Sequence, residues 1–154
     1  MQLTDRPHLP EWVEEANRRI LAQQRQGVPA DGPVRVLSIP GRKSGKLRTT
    51  PVSPFVVDGR RYLVSGLGEA DWVKNARAAG WGILAHGSQK EQVRLTELPV
   101  EETSDILREF PRRVPGGIRF FTQVYSISAN PEEFAALAYR CPVFRIEDGQ
   151  TEGF

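Results

Sequence analysis

The sequence predicts an α+β fold, in which six or so mostly antiparallel strands build a small barrel with one N-terminal helix and short helices at its periphery. Three observations predict it. Short apolar runs bounded by glycine and proline recur from Val34 to Leu98 and again at Val143 to Ile146. Helical patterns fall between and around these runs, an order that favours a small α+β barrel over a parallel sheet. The glycine-rich fingerprint of a dinucleotide-binding strand-to-helix turn is absent.

Taken in order, the first element is a helix over residues 10–26. Trp12, Val13, Ala16, Ile20 and Leu21 recur at helical spacing, and Gly27 and Pro29 stop the pattern. Glu11, Glu14 and Glu15 lie early and Arg18, Arg19 and Arg25 late, which suits the helix dipole. This balance favours a helix docked on the barrel over one lying on a membrane surface, where basic residues would be in excess.

Strands follow at Val34 to Ile39, Arg48 to Val57 and Arg61 to Ser65, with Asp58-Gly59 as a hairpin turn before the third. Pro51 and Pro54 make the second an irregular or edge strand, where a ligand could approach the backbone. A helix from Asp71 to Ala79 ends at Gly80, with Asp71 placed to cap its start. Strands at Trp81 to Ala85 and Gln92 to Leu98 turn through Gly87-Ser88. Helices at Glu101 to Phe110 and Pro131 to Tyr139 precede the last strand, Val143 to Ile146, with Asn130 as the N-cap of the second.

The 154 residues form one domain by size, 1–154, with the barrel over about 33–147 and no linker or repeat. A composition 39% hydrophobic and 26% charged fits a folded chain, and no apolar run reaches the ~18–20 residues that span a bilayer. The N-terminus lacks the basic and apolar regions of a secretory signal, so a cytoplasmic protein is expected, peripheral to a membrane at most. Cys141 is the only cysteine, and His8 and His86 lie in unrelated segments. A disulfide, a zinc cluster and a nucleophile–histidine triad are therefore hard to assemble, and no metal is expected.

Charge distribution matters more than the net +2. Arg35, Arg42, Lys43, Lys46, Arg48, Arg60 and Arg61 crowd into 34–61 against the single acid Asp58. So local a basic stretch suggests one anionic ligand more than a nucleic-acid face, with a solvated basic hairpin as the competing reading. Within it, Gly41-Arg42-Lys43-Ser44-Gly45-Lys46-Leu47-Arg48-Thr49-Thr50-Pro51 joins two predicted strands. Glycines let the backbone approach a bulky anion, Arg42, Lys43 and Arg48 supply charge, and Ser44, Thr49 and Thr50 supply hydroxyl donors. The spacing is not that of a P-loop.

This loop, preceded by VRVLSIP and followed by VVDGRRYLVSG, resembles the deazaflavin-dependent nitroreductase family, whose members use coenzyme F-420. Trp72-Val73-Lys74-Asn75-Ala76-Arg77 resembles that family's W-x-x-N segment, and the likeness continues to Leu98. The resemblance implies a split β-barrel with a cofactor groove at its rim. It implies that Arg42, Lys43, Ser44, Gly45 and Arg48 hold the coenzyme's phosphate and acidic tail, and that Thr49, Thr50 and Pro51 run beside its ribityl chain and ring. Ser65, Gly66, Leu67 and Gly68, with Trp72 and Asn75, would border the deazaflavin. The Gly66 to Ala70 loop is shorter here than in many relatives.

Trp72 and Asn75, three apart, share a helix face, either walling a pocket or serving as core anchor and local cap. The stretch FPRRVPGGIRFFTQVY breaks any long helix with Pro111, Pro115, Gly116 and Gly117. Its aromatics either form a flap over an apolar substrate or plug the barrel. In the family, tyrosines of this region contact the acceptor, which makes Tyr125 the candidate for substrate positioning or proton delivery. The expected activity is hydride transfer from the reduced deazaflavin to a quinone, enone or nitroaromatic acceptor, by a monomer or homodimer. The alternatives are a carrier of deazaflavin, haem or fatty acyl ligand, or an oxidase-like barrel using flavin mononucleotide.

Overall fold

The computed structural model describes residues 9–149, so His8 and the residues beyond 149 lie outside it. Helix α1 (Glu11–Arg25) leads into β1 (Arg35–Pro40), β2 (Leu47–Val52), β3 (Phe55–Val57) and β4 (Arg60–Val64). Then come α2 (Asp71–Ala79), the hairpin of β5 (Trp81–His86) and β6 (Gln89–Glu97), and α3 (Val100–Arg113). Helices α4 (Ile118–Tyr125) and α5 (Pro131–Ala135) precede the last strand, β7 (Val143–Asp148).

The seven strands form one sheet in the order β2-β1-β5-β6-β7-β4-β3, every pair antiparallel. The two edge strands, β2 and β3, are consecutive in sequence and joined only by Ser53-Pro54. Three Cα steps from Val52 to Phe55 reach about 10–11 Å, so the sheet must curl until its edges meet. No ladder joins β2 to β3, and the barrel stays split along that seam. This corrects the reading of 48–57 as one strand: Pro54 follows a break that sends the two halves to opposite edges.

Turn chemistry explains the local geometry. Asp58 at φ 51° and Gly59 at φ 79° give the paired left-handed residues of a tight hairpin turn. Asn130 Oδ1 accepts from the Glu132 N–H at 2.7 Å and caps α5, with Pro131 at its first position. Asp71 does not cap α2. It is the first residue of the helix, Ala70 is the N-cap, and the Asp71 carboxylate faces Arg42 instead. Pro111 does not end α3 either. It falls in the last turn, the helix runs on to Arg113, and a 3-10 turn at Pro115–Gly117 leads directly into α4.

Alternation along β4 and β7 divides the core in two. Leu63, Phe144 and Ile146 join Leu37, Ile39, Leu84, Val93 and Leu95 inside the barrel, where Val73 and Ala76 of α2 plug one end. Tyr62 and Val143 point the other way, into a cluster with Leu107, Phe110, Phe121 and Phe134 beneath the helical layer. The aromatics of that layer pack edge-on or stacked at 5.1–5.9 Å, as for Phe110 with Phe121 and Phe134.

Candidate functional site

A cleft of about 970 Å³ opens beside β2, with β1, β4, α2, α4 and one side of α1 contributing its walls. Its basic end is the β1–β2 hairpin. The Gly41 N–H donates to Lys46 O at 2.7 Å and the Gly45 N–H to Gly41 O at 2.8 Å, folding the loop back on itself. Gly45, at φ 77°, takes the left-handed conformation that this closure needs. Ser44 Oγ accepts from the Lys46 N–H at 3.1 Å.

Asn75 ties this hairpin to α2. Its Oδ1 accepts from the Arg42 backbone N–H at 3.0 Å and from Arg42 Nη1 at 2.8 Å, and the residue is only 4% exposed. Arg42 Nη2 also lies 3.3 Å from Asp71 Oδ1. Lys43, Lys46 and Arg48 form no ion pair with any described residue. The hairpin therefore offers uncompensated cations, with the Arg42 fork held in place between them.

The opposite wall is apolar. Leu9, Val13 and Ile20 from the α1 segment line the cleft together with Val114, Phe120 and Phe121, and Trp72, also a lining residue, packs on Phe144 at 5.5 Å. No α1 residue is buried, yet both ends of the helix are tied down. Trp12 Nε1 donates to Gln123 Oε1 at 2.7 Å beneath the Arg119 guanidinium, and Gln24 exchanges two hydrogen bonds with Gly87 at 2.7 and 2.9 Å.

Of the residues singled out in the sequence, Arg42, Lys43, Ser44, Arg48, Thr49, Thr50, Pro51, Ser65, Gly66, Leu67, Trp72 and Asn75 all line this cleft. Gly45 shapes the hairpin without lining it. Gly68 packs against Arg140, where a Cβ would come 2.6 Å from the carbonyl oxygen. Tyr125 stands behind the wall: its hydroxyl donates to the Gly66 carbonyl, and burial first, then the neighbouring Cys141, raises its pKa well above the ordinary phenol range. Burial pushes the Cys141 thiol up to about 11. The wall from α1 went unassigned in the sequence, although the helical spacing of Val13, Asn17 and Ile20 marks one face. No single long helix runs through 110–125: α3 ends at Arg113 and α4 begins at Ile118, after the 3-10 turn.

His86 lies away from the cleft, its Nε2 2.9 Å from the Ala30 carbonyl. Among the described residues no group of three His, Cys, Asp or Glu could hold a metal ion, and no helix is long and apolar enough to cross a membrane.

A family model described as F420H(2)-dependent quinone reductase matches residues 12–121, which includes the hairpin, α2 and the aromatic wall. No curated protein matches the chain. Among solved structures, a domain-swapped dimer is 24% identical with a TM-score of 0.54, covering 89% of this chain and 98% of that one. An F420-H2 dependent reductase is 20% identical with a TM-score of 0.53, over 77% of this chain and 97% of its own. A protein of unknown function from Agrobacterium tumefaciens, 14% identical with a TM-score of 0.54, covers 88% of this chain and 55% of its own. At these identities the structures speak to the fold, the split barrel.

Proposed function

This chain belongs to the F420H2-dependent quinone reductase family, a family of deazaflavin-dependent reductases whose cofactor is coenzyme F420, and we propose that it reduces an electron-poor quinone, enone or nitroaromatic acceptor. The observation that carries the reading is one cleft with a cationic, hydroxyl-rich end and an apolar aromatic wall. That donor set fits the coenzyme: unpaired cations suit phosphate and carboxylates, and the aromatic wall suits a flat ring and an apolar acceptor.

In this reading Arg42, Lys43, Ser44 and Arg48, on the turn that Gly45 shapes, hold the phosphate and acidic end. Thr49, Thr50 and Pro51 flank the ribityl chain, while Ser65, Gly66, Leu67 and Trp72 border the ring. Asn75 acts through Arg42, which it orients. When bound, the reduced coenzyme supplies a hydride. The chain's own contribution is to hold ring and acceptor face to face and keep water from the cleft, with α1 as one wall. The acceptor's proton comes from water or a nearby hydroxyl, because the Tyr125 hydroxyl is already directed at Gly66.

Titration with coenzyme F420 and with flavin mononucleotide, followed by reoxidation of the reduced coenzyme with menadione and a nitroaromatic, tests the proposal. Tight flavin binding without deazaflavin binding overturns it, and deazaflavin binding without turnover makes the chain a carrier. Replacing Arg42 and Lys43 together by alanine should weaken coenzyme affinity and flatten its salt dependence. Unfolding without loss of affinity would make the hairpin structural.

A further inference from the structure

We infer that Tyr125 is a positioning residue: with Cys141 it fixes the Gly66–Leu67 peptide, so that the Ser65–Leu67 loop turns its N–H edge to the cleft. The inference rests on the reading of this loop as the border of the coenzyme ring. Three contacts converge on one carbonyl and its neighbours. The Gly66 oxygen accepts from the Tyr125 hydroxyl, and Cys141 Sγ lies 3.7 Å from the same oxygen. Phe120, from the same helix as Tyr125, presses on the Gly66 Cα so closely that a Cβ there would meet its Cε2 at 2.1 Å. Tyr125 is itself braced, stacked on Phe121 at 6.2 Å and covered by the Arg140 guanidinium at 4.8 Å.

Geometry then dictates the other side. In a trans peptide the C=O and the following N–H point in opposite directions. With the Gly66 carbonyl held toward Tyr125 and Cys141, the Leu67 N–H faces away, 3.3 Å from Ser65 Oγ. Ser65 is fixed in turn: its hydroxyl donates to Leu67 O at 2.6 Å and its N–H to Pro142 O at 2.9 Å. The Gly66 N–H has no partner among the described residues, and Gly66 lines the cleft. A carbonyl oxygen on a bound ring or acceptor is the chemistry such a donor takes. Removing the Tyr125 hydroxyl frees the Gly66–Leu67 peptide to rotate about the Gly66 Cα and so loosens the setting of the neighbouring Gly66 N–H.

Amide hydrogen exchange of the full chain, read without coenzyme, tests this directly. Tyr125→Phe keeps the ring and should speed exchange of the Leu67 amide, which belongs to the same peptide as the Gly66 carbonyl, about fivefold or more, the weight of one hydrogen bond, while β5 and β6 stay unchanged. Cys141→Ala should speed the same amide about twofold, since a thiol is a weak donor. With coenzyme bound, the rate of hydride transfer in Tyr125→Phe should fall while its pH profile keeps its shape. Unchanged exchange at Leu67 in both variants overturns the inference. So does loss of a pH limb in Tyr125→Phe, which would make Tyr125 the proton donor. A chain whose exchange responds as expected but which binds no deazaflavin would sink the functional reading and leave the loop assignment standing.

Discussion

Asn75→Ala removes the oxygen that accepts from both the Arg42 backbone N–H at 3.0 Å and Arg42 Nη1 at 2.8 Å. The backbone N–H loses its partner in a half-buried setting, at about 1–2 kcal/mol, whereas water can replace most of the bond to the guanidinium. Arg42 is 30% exposed, so that second loss is discounted, and the total comes to about 1–3 kcal/mol. For a chain of 154 residues this lowers the thermal midpoint by about 3–9 °C. Asn75→Asp behaves differently. A carboxylate oxygen can accept both hydrogen bonds, so stability should stay near wild type. The new charge, next to the Arg42 guanidinium, would repel an anion bound there by about 1–3 kcal/mol at effective dielectric constants between protein and water. Coenzyme affinity then falls by about five- to a hundredfold, less at high salt. Urea unfolding and fluorescence titration of the coenzyme at two salt concentrations read the two effects separately. Asn75→Ala with unchanged stability and affinity, or Asn75→Asp as unstable as Asn75→Ala, refutes the role given to Asn75.

A Cβ on Gly66 would lie 2.1 Å from Phe120 Cε2, so Gly66→Ala forces Phe120 to move by more than 1 Å and should cost about 1–3 kcal/mol in urea unfolding. Adding Phe120→Ala should relieve much of it, and strict additivity of the two substitutions would contradict the contact. The buried Cys141 thiol, pushed up to about 11 from an ordinary ~8.5, stays neutral in the folded chain while its unfolded counterpart ionises. Its contribution is therefore whole below about pH 8.5 and lost as pH rises toward 11, reaching about 2 kcal/mol at pH 10. Cys141→Ala should flatten that part of the stability–pH curve, and parallel curves for the two proteins would show the thiol exposed. Trp12→Ala removes the 2.7 Å bond to Gln123 and the ring under Arg119, so tryptic cleavage at Arg18, Arg19 or Arg25 should speed up about threefold or more. Global stability should change by less than about 1 kcal/mol, because α1 buries no residue, and a larger loss would make α1 part of the core.

Features that depend on neighbours in sequence were legible early. Asp58-Gly59, the glycine at 80 that stops α2 at φ 76° and the Asn130 cap follow from backbone and side-chain chemistry within four residues. Features that depend on distant partners were not. Asp71 has the chemistry of a cap, yet Arg42, 29 positions away, draws its carboxylate. Pro111 has the chemistry of a helix breaker, yet near the end of α3 it removes little, and Phe110 and Pro111 are both buried as the helix runs on to Arg113.

The basic hairpin was readable from the chain alone because everything that makes it bind anions is local: two glycines for the turn, cations with few acids near them, and hydroxyls on the strand that follows. Resemblance to a family extended that to a cofactor. Only the folded chain decided what faces the hairpin. A two-residue link between the outermost strands curls the sheet and leaves the seam, and α1 and α4, far apart in sequence, supply the wall across the cleft. The same packing turned Tyr125 away from the cleft and onto a backbone carbonyl. Side-chain direction of this kind is set by burial against remote elements, which neither periodicity nor motif carries.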